Sequence, residues 1–203
     1  HRLQYEATFS DYEAHESGSG VSASEIQAER TQNVVMASSE YATESWSLMV
    51  GVRTEIMGGS RDEFAALPSV GATWSPASWV SLRSNLARTY RPPDFDELYL
   101  DLETVRGNPT LHSERAWTAD IGPDLSFSRW KLGVAYFESR MESVILFLPV
   151  SSTVIEATNL DGVTSRGVET WAVFDVLPSV SLAGNYTLTR ANRDGENAQL
   201  PHQ

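Results

Sequence analysis

Apolar and polar residues alternate along most of this chain. Leu3, Tyr5, Ala7 and Phe9 are interleaved with Gln4, Glu6, Thr8 and Ser10. A period of two marks a strand with one apolar and one polar face. Residues 11–30 are polar and rich in Gly and Ser and read as a long loop. The alternation returns from Thr31 to Tyr41, then in Trp46, Leu48, Val50 and Val52. A medium loop from Met57 to Glu63 carries Gly58-Gly59, and the pattern resumes in Pro68, Val70, Ala72 and Trp74, then in Val80, Leu82, Leu86 and Tyr90. Trp117, Ala119, Ile121 and Leu125 form the next segment. Trp130, Leu132, Val134 and Tyr136 open a strand that runs on toward Phe147, and Pro149 to Ser165 reads as loop. Val168, Ala172, Phe174 and Val176, then Val180, Leu182, Tyr186 and Leu188, complete the series.

About nine strands therefore follow one another with no convincing amphipathic helix between them, which predicts an all-β, antiparallel up-and-down meander. The connections alternate in length. Short ones lie near Thr43, Pro76, Phe127 and Pro178, and long ones follow Phe9, Thr54, Arg91, Phe147 and Arg190. In a meander, all the long connections then share one side, the asymmetry of an outer-membrane barrel. Aromatic placement agrees. Trp46, Trp74, Trp79, Trp117 and Trp130 are read near the short turns, and Tyr90, Tyr136 and Tyr186 toward the long loops, as interfacial girdles require. On this reading Val80, Leu82, Leu132, Val134, Val180 and Leu182 face lipid.

The stretch from Arg88 to Ala116 interrupts the pattern with two Pro, a Gly-Asn-Pro corner and several carboxylates, and reads as a long loop at one rim. It also carries a resemblance. Arg88-Thr89-Tyr90-Arg91-Pro92-Pro93 followed by Phe95-Asp96-Glu97-Leu98-Tyr99, then Gly107-Asn108-Pro109, Leu111 and Ser113-Glu114-Arg115, then Asn159 with Arg166-Gly167-Val168-Glu169, resemble in order and spacing the TonB-dependent outer-membrane receptors. Weaker similarity runs from about Val35 to Leu200. The resemblance implies a barrel of about 22 strands around a plug, of which residues 1–203 supply part. The plug, the energy-coupling box and the final strands are expected outside this segment. It also implies import of a scarce ligand such as a ferric siderophore or other metal chelate, haem, cobalamin or a glycan. The implied partners are the plug, the inner-membrane protein TonB and outer-membrane lipid.

Composition narrows the alternatives. The chain has 203 residues, a formal net charge of −12 and no Cys. The acidic balance argues against nucleic acid as a partner, and no thiolate metal site or disulfide framework exists. The longest apolar run, Val144 to Val150, contains Pro149 and falls short of the roughly 20 residues a membrane helix needs. A soluble β-sandwich or solenoid used in adhesion or glycan binding, and a plugless porin-type barrel, remain the competing readings.

No catalytic constellation or cofactor motif is visible, so no enzyme is expected. His1, His15, His112 and His202 are scattered without metal-ligand spacing. Asp94, Asp96, Glu97, Asp101 and Glu103 form an acidic cluster, read mainly as a solvated loop face, though hard cations such as Ca²⁺ take carboxylate oxygen. The ligand-binding loop candidates are Arg91, Asp94, Asp96, Glu97, Tyr99, Asn108 and His112. Arg53, Arg83, Asn85, Asp120, Glu169 and Asn185 lie on the polar parity of their strands and are the lumen- or plug-facing candidates. Arg88 has the outward parity near the rim, where it can snorkel to headgroups. Gly107 and Pro109 are expected to shape the loop, Gly167 to relieve crowding, and Asp161-Gly162 and Asp194-Gly195 to turn the chain.

Overall fold

The computed structural model describes residues 2–15, 25–160 and 162–193. Nine strands form one antiparallel sheet in the order of the chain. They are β1 (Arg2–His15), β2 (Glu25–Ala42), β3 (Trp46–Gly59), β4 (Glu63–Ala77), β5 (Val80–Arg91), β7 (Glu114–Ser126), β8 (Trp130–Glu142), β11 (Val163–Leu177) and β12 (Val180–Arg193). Three further strands, β6 (Val105–Arg106), β9 (Val144–Pro149) and β10 (Ile155–Leu160), make a small separate sheet, and α1 spans Phe95–Tyr99. The nine-stranded meander is as the alternation predicts.

Register converts alternation into two faces. Cross-strand partners such as Val50, Val70, Leu86 and Ala119 share one side. That side carries Trp46, Leu48, Trp74, Ile121, Val134, Leu182 and Leu188, all more than a third exposed. The six residues read as lipid-facing fall on it. The opposite side is mostly polar, with small residues facing large ones across the ladder. Gly71 is opposite Asn85, Gly133 opposite Trp171, and Gly167 opposite Phe137. A Cβ on Gly167 would collide with the Leu188 carbonyl and the Phe137 ring, so this glycine does relieve crowding.

At the short-turn end, aromatic rings pair between neighbouring strands and between the turns Trp79 and Phe127 occupy. Trp46 stacks on Trp74 with centroids 5.6 Å apart, Trp79 on Phe127 at 5.8 Å, and Trp130 tilts onto Phe174 at 4.5 Å. Each such pair contributes about 0.5–1.5 kcal/mol beyond area burial.

Several boundaries differ from the sequence reading. β1 and β2 extend into the polar 11–30 stretch, because an antiparallel pair can continue past the apolar band wherever its backbones find each other. For the same reason β3 and β4 leave only Ser60–Asp62 between them, so the connection after Thr54 is short and the length alternation is not strict. The strand opening at Trp130 stops at Glu142, since Ser143 adopts φ 56, and β9 is a new strand turned into the small sheet. The supposed 149–165 loop contains β10 and the start of β11. Trp117 lies near the start of β7, on the long-connection side, not beside a short turn. The 88–116 stretch holds a helix and a strand, neither foreseen. β12 runs to Arg193, and the Asp194-Gly195 turn lies outside the described residues.

The buried apolar cluster is not in the large sheet, whose two faces are both largely uncovered. Leu98, Leu111, Ile145 and Ala157 pack together at one end, with Tyr99 against them.

Candidate functional site

That cluster lies within a loop assembly at the end of the sheet opposite the short turns. Its parts are α1, the Gly107–Leu111 corner, and the β9–β10 hairpin. β10 pairs antiparallel with β9 and parallel with β6, so the 92–113 and 143–162 connections are joined by backbone. A helix of five residues is far too short to persist alone. A capping box from Asp94 and Glu97 closes its first turn, and Leu98 is buried beneath it.

Arg91 is the electrostatic centre. Its Nε donates to Glu114 Oε2 at 2.7 Å, and Nη2 reaches Glu114 Oε1 at 2.8 Å. Its guanidinium also bonds both oxygens of Glu97, at 2.9 and 3.0 Å. One cation thus ties the end of β5 to α1 and to the start of β7. Glu114 Oε1 additionally accepts the Ile145 N–H at 2.7 Å, which brings in β9. Burial alone would raise the Glu114 pKa, but hydrogen bonds from Arg91 and Ile145 outweigh it and hold the carboxyl below its ordinary value. The Arg91 guanidinium is raised, chiefly by its bonds to Glu114.

The corner is held as closely. Asn108 Oδ1 accepts from the Thr110 N–H and hydroxyl at 2.9 and 2.6 Å, and its own N–H bonds the Glu97 carbonyl at 2.7 Å. Gly107 sits where a Cβ would come within 2.7 Å of the Leu98 and Tyr99 backbone, as its loop-shaping assignment requires. Asn159, on β10, accepts the His112 N–H and donates to the carbonyls of His112 and Ser143 at 2.9 and 2.7 Å. Arg30 reaches from β2 to the Pro93 carbonyl at 2.5 Å and covers the Phe95 ring at 4.7 Å, while Arg61 bonds the Leu111 carbonyl.

The seven loop candidates therefore divide. Arg91, Glu97 and Asn108 are engaged in holding the loops, and Tyr99 packs against the cluster. Asp94, Asp96 and His112 are exposed. Sequence reasoning singled out Glu114 and Asn159 only as motif residues, without a structural part, and did not single out the anchors Arg30 and Arg61. The acidic residues divide between two cations: Asp94 and Glu97 lie 3.6 and 2.9 Å from Arg91, and Asp101 lies 3.7 Å from Arg106. Among the described residues no group of three His, Cys, Asp or Glu is placed to hold a metal ion. His1, His202 and the side chain of His15 lie outside what is described.

The second set shares the polar face of the large sheet. Arg53 pairs with Glu55 at 2.8 Å, and Glu55, only 4% exposed, also accepts from Gln32 at 2.7 Å. Asn85 donates to Asp120 at 3.0 Å. Arg83 Nε lies 2.5 Å from Asp124 Oδ2, an ion pair without hydrogen-bond alignment. Glu169 and Asn185 lie on the same face, where Asn185 is the cross-strand partner of Trp171.

A single antiparallel sheet, apolar on one face and polar on the other, with aromatic pairs at one edge and ordered loops at the other, defines a transmembrane β-barrel wall. The family model described as "TonB dependent receptor-like, beta-barrel" matches residues 1–202, and the chain belongs to that family, whose members are outer-membrane receptors. Among solved structures, the copper transporter OprC superposes with a TM-score of 0.77 at 14% identity, covering 98% of this chain and 37% of that one. The siderophore receptor PirA from Pseudomonas aeruginosa gives 0.71 at 17%, covering 96% and 40%. The iron transporter FrpB from Neisseria meningitidis gives 0.65 at 16%, covering 82% and 26%. This chain thus spans about a quarter to two fifths of the length of those structures. No curated protein matches it.

Proposed function

We propose that this segment forms wall and outer loops of a receptor that imports a scarce ligand by energy coupling through a plug and TonB. The ligand class is a metal chelate of the siderophore type, with haem, cobalamin or a glycan as the other members of the range. The observation that carries the reading is the one-sided loop assembly, in which two long connections are joined by β6, β9 and β10 and pinned by Arg91. Loops ordered before a ligand arrives pay less entropy on binding. In this reading Asp94, Asp96 and His112 contact ligand, with Tyr99 at their edge, while Arg91, Glu97 and Asn108 set the shape. Arg53, Arg83, Asn85, Asp120, Glu169 and Asn185 line the lumen against the plug, and the apolar face meets lipid.

The test is uptake of radiolabelled ferric siderophores by cells carrying the complete receptor, with and without a protonophore. Uptake that stops on de-energisation supports the proposal. Uptake that continues undiminished would mean passive diffusion through an open barrel.

A further inference from the structure

Neighbouring strands of the large sheet are tied by their ladders almost to the loop end, with one exception. β3 and β4 stay paired as far as Met57 and Glu63, and β5 and β7 as far as Arg91 and Glu114. Between β4 and β5 the ladder stops at Ser69 and Ala87, so residues 63–68 of β4 have no ladder partner among residues 88–91 of β5. The cause lies in the sequence. Continuing the register would set Pro68 opposite Arg88, and proline has no N–H to give to a ladder. A concavity of about 240 Å³ lies along this seam, lined by Phe64, Ala66, Leu67, Arg88, Tyr90 and Arg115.

Side chains close the seam instead. Glu63, the first residue of β4, accepts the Ser113 hydroxyl on Oε2 at 2.5 Å, and its Oε1 lies 3.4 Å from the Arg115 guanidinium. The Ser113 hydroxyl is 3.3 Å from the Tyr90 oxygen, and the Tyr90 hydroxyl reaches Met57 Sδ at 3.9 Å. Met57, Glu63, Tyr90 and Arg115 thus join β3, β4, β5 and β7 in one latch. Farther along, Arg30 and Arg61 hold the Pro93 and Leu111 carbonyls. Met57, Ala65, Leu67 and Ser113 are buried. Parting the wall at another seam would break a row of backbone hydrogen bonds, whereas this half-seam is held by side chains. The far side is one unit, because β5 pairs with β7 to its end and the loop assembly is bound to both by Arg91.

We propose that the upper β4–β5 seam is a gate in the barrel wall, latched by Glu63 against Ser113 and Arg115, and that its opening lifts the loop assembly off β2–β4 as one unit. An open seam widens the mouth of the lumen on one side. The inference rests on the barrel-wall placement of the sheet and is independent of which ligand is imported.

The experiment times the reaction of single cysteines with a membrane-impermeant maleimide, on cells carrying the complete receptor freed of any other cysteine. These 203 residues contain none, so this segment adds no background. Leu67→Cys, 8% exposed beside the seam, reports opening of the gate, and Ala157→Cys, 0% exposed in the loop cluster, reports loosening of the assembly itself. Labelling of a buried thiol follows the open population. Adding Glu63→Ala should speed labelling at Leu67→Cys roughly ten-fold, as expected for losing hydrogen bonds to a charged group. Labelling at Ala157→Cys should keep its parental rate. An unchanged rate at Leu67→Cys overturns the proposal, since the latch would then hold nothing. Equal acceleration at both cysteines overturns it too, because the assembly would be unravelling and not lifting as a unit. If Glu63→Ala fails to reach the outer membrane, Ser113→Ala is read instead, expected about three-fold faster at Leu67→Cys with Ala157→Cys again unchanged.

Discussion

Replacing Arg91 by Gln should open the loop assembly while leaving the sheet intact. The guanidinium makes four hydrogen bonds of 2.7–3.0 Å to two carboxylates. Breaking a buried ion pair by removing one partner costs about 3–5 kcal/mol. The Arg91 side chain is 40% exposed, against 15% for Glu97 and 23% for Glu114, so water solvates part of what is left. Discounting by about half leaves roughly 2 kcal/mol, close to a thirty-fold rise in local opening. Hydrogen exchange on the complete receptor reads this directly. The amides of Leu98, Gly107 and Asn108, bonded to Asp94, Leu100 and Glu97 carbonyls, should lose protection by that factor. Amides in β3 and β8 should not change. Unaltered protection at Leu98 and Gly107 would refute the assignment of Arg91 as the tie, and equal loss throughout the strands would show that it supports the sheet instead. The pH dependence follows with a definite sign. The folded carboxyl of Glu114 titrates below its unfolded value, so its contribution is complete above the ordinary carboxylate range and is lost as pH falls through the folded pKa. Loop protection should therefore be flat from neutral pH down to about 5 and decline at more acid pH.

Gly107→Ala would push a methyl within 2.7 Å of backbone at Leu98 and Tyr99, so the corner must shift. We expect about 2 kcal/mol or more of loop destabilisation, read as faster proteolysis between Arg91 and Glu114. Asn159→Ala removes three hydrogen bonds linking β10 to His112 and Ser143. It should cost about 1–3 kcal/mol and sensitise both connections to protease at once; cleavage of only one would mean that they are not coupled. Val134→Arg places a charge mid-strand on the apolar face, at roughly 2–4 kcal/mol, and should lower the yield of heat-modifiable folded receptor. An unchanged yield would reverse the assignment of the two faces.

The legible part of this protein was its periodicity. Side-chain direction in a strand has period two, so Trp46, Leu48, Val50 and Val52 declare a face without any partner being known. Nine such segments with tight connections leave little topology to choose, and the parity of Arg53, Asn85 and Asp120 followed with it. Strand ends were poorly legible, as at Gly59 and Glu63, because polar residues above the membrane pair as readily through backbone as apolar ones do.

The loop assembly was read as motif and not as mechanism. Arg91, Glu97 and Glu114 are separated in sequence by a corner whose path no local pattern dictates, and their meeting depends on Gly107 admitting close backbone contact. Likewise, Met57, Glu63, Tyr90 and Ser113 look unrelated along the chain, since only the fold sets them across one seam. Sequence alone thus determined the meander, its two faces and the family resemblance, all of which rest on local alternation and short spacing. Tertiary structure decided which side chains share a charge, because hydrogen bonds and ion pairs act over a few ångströms of space between residues that the chain holds far apart.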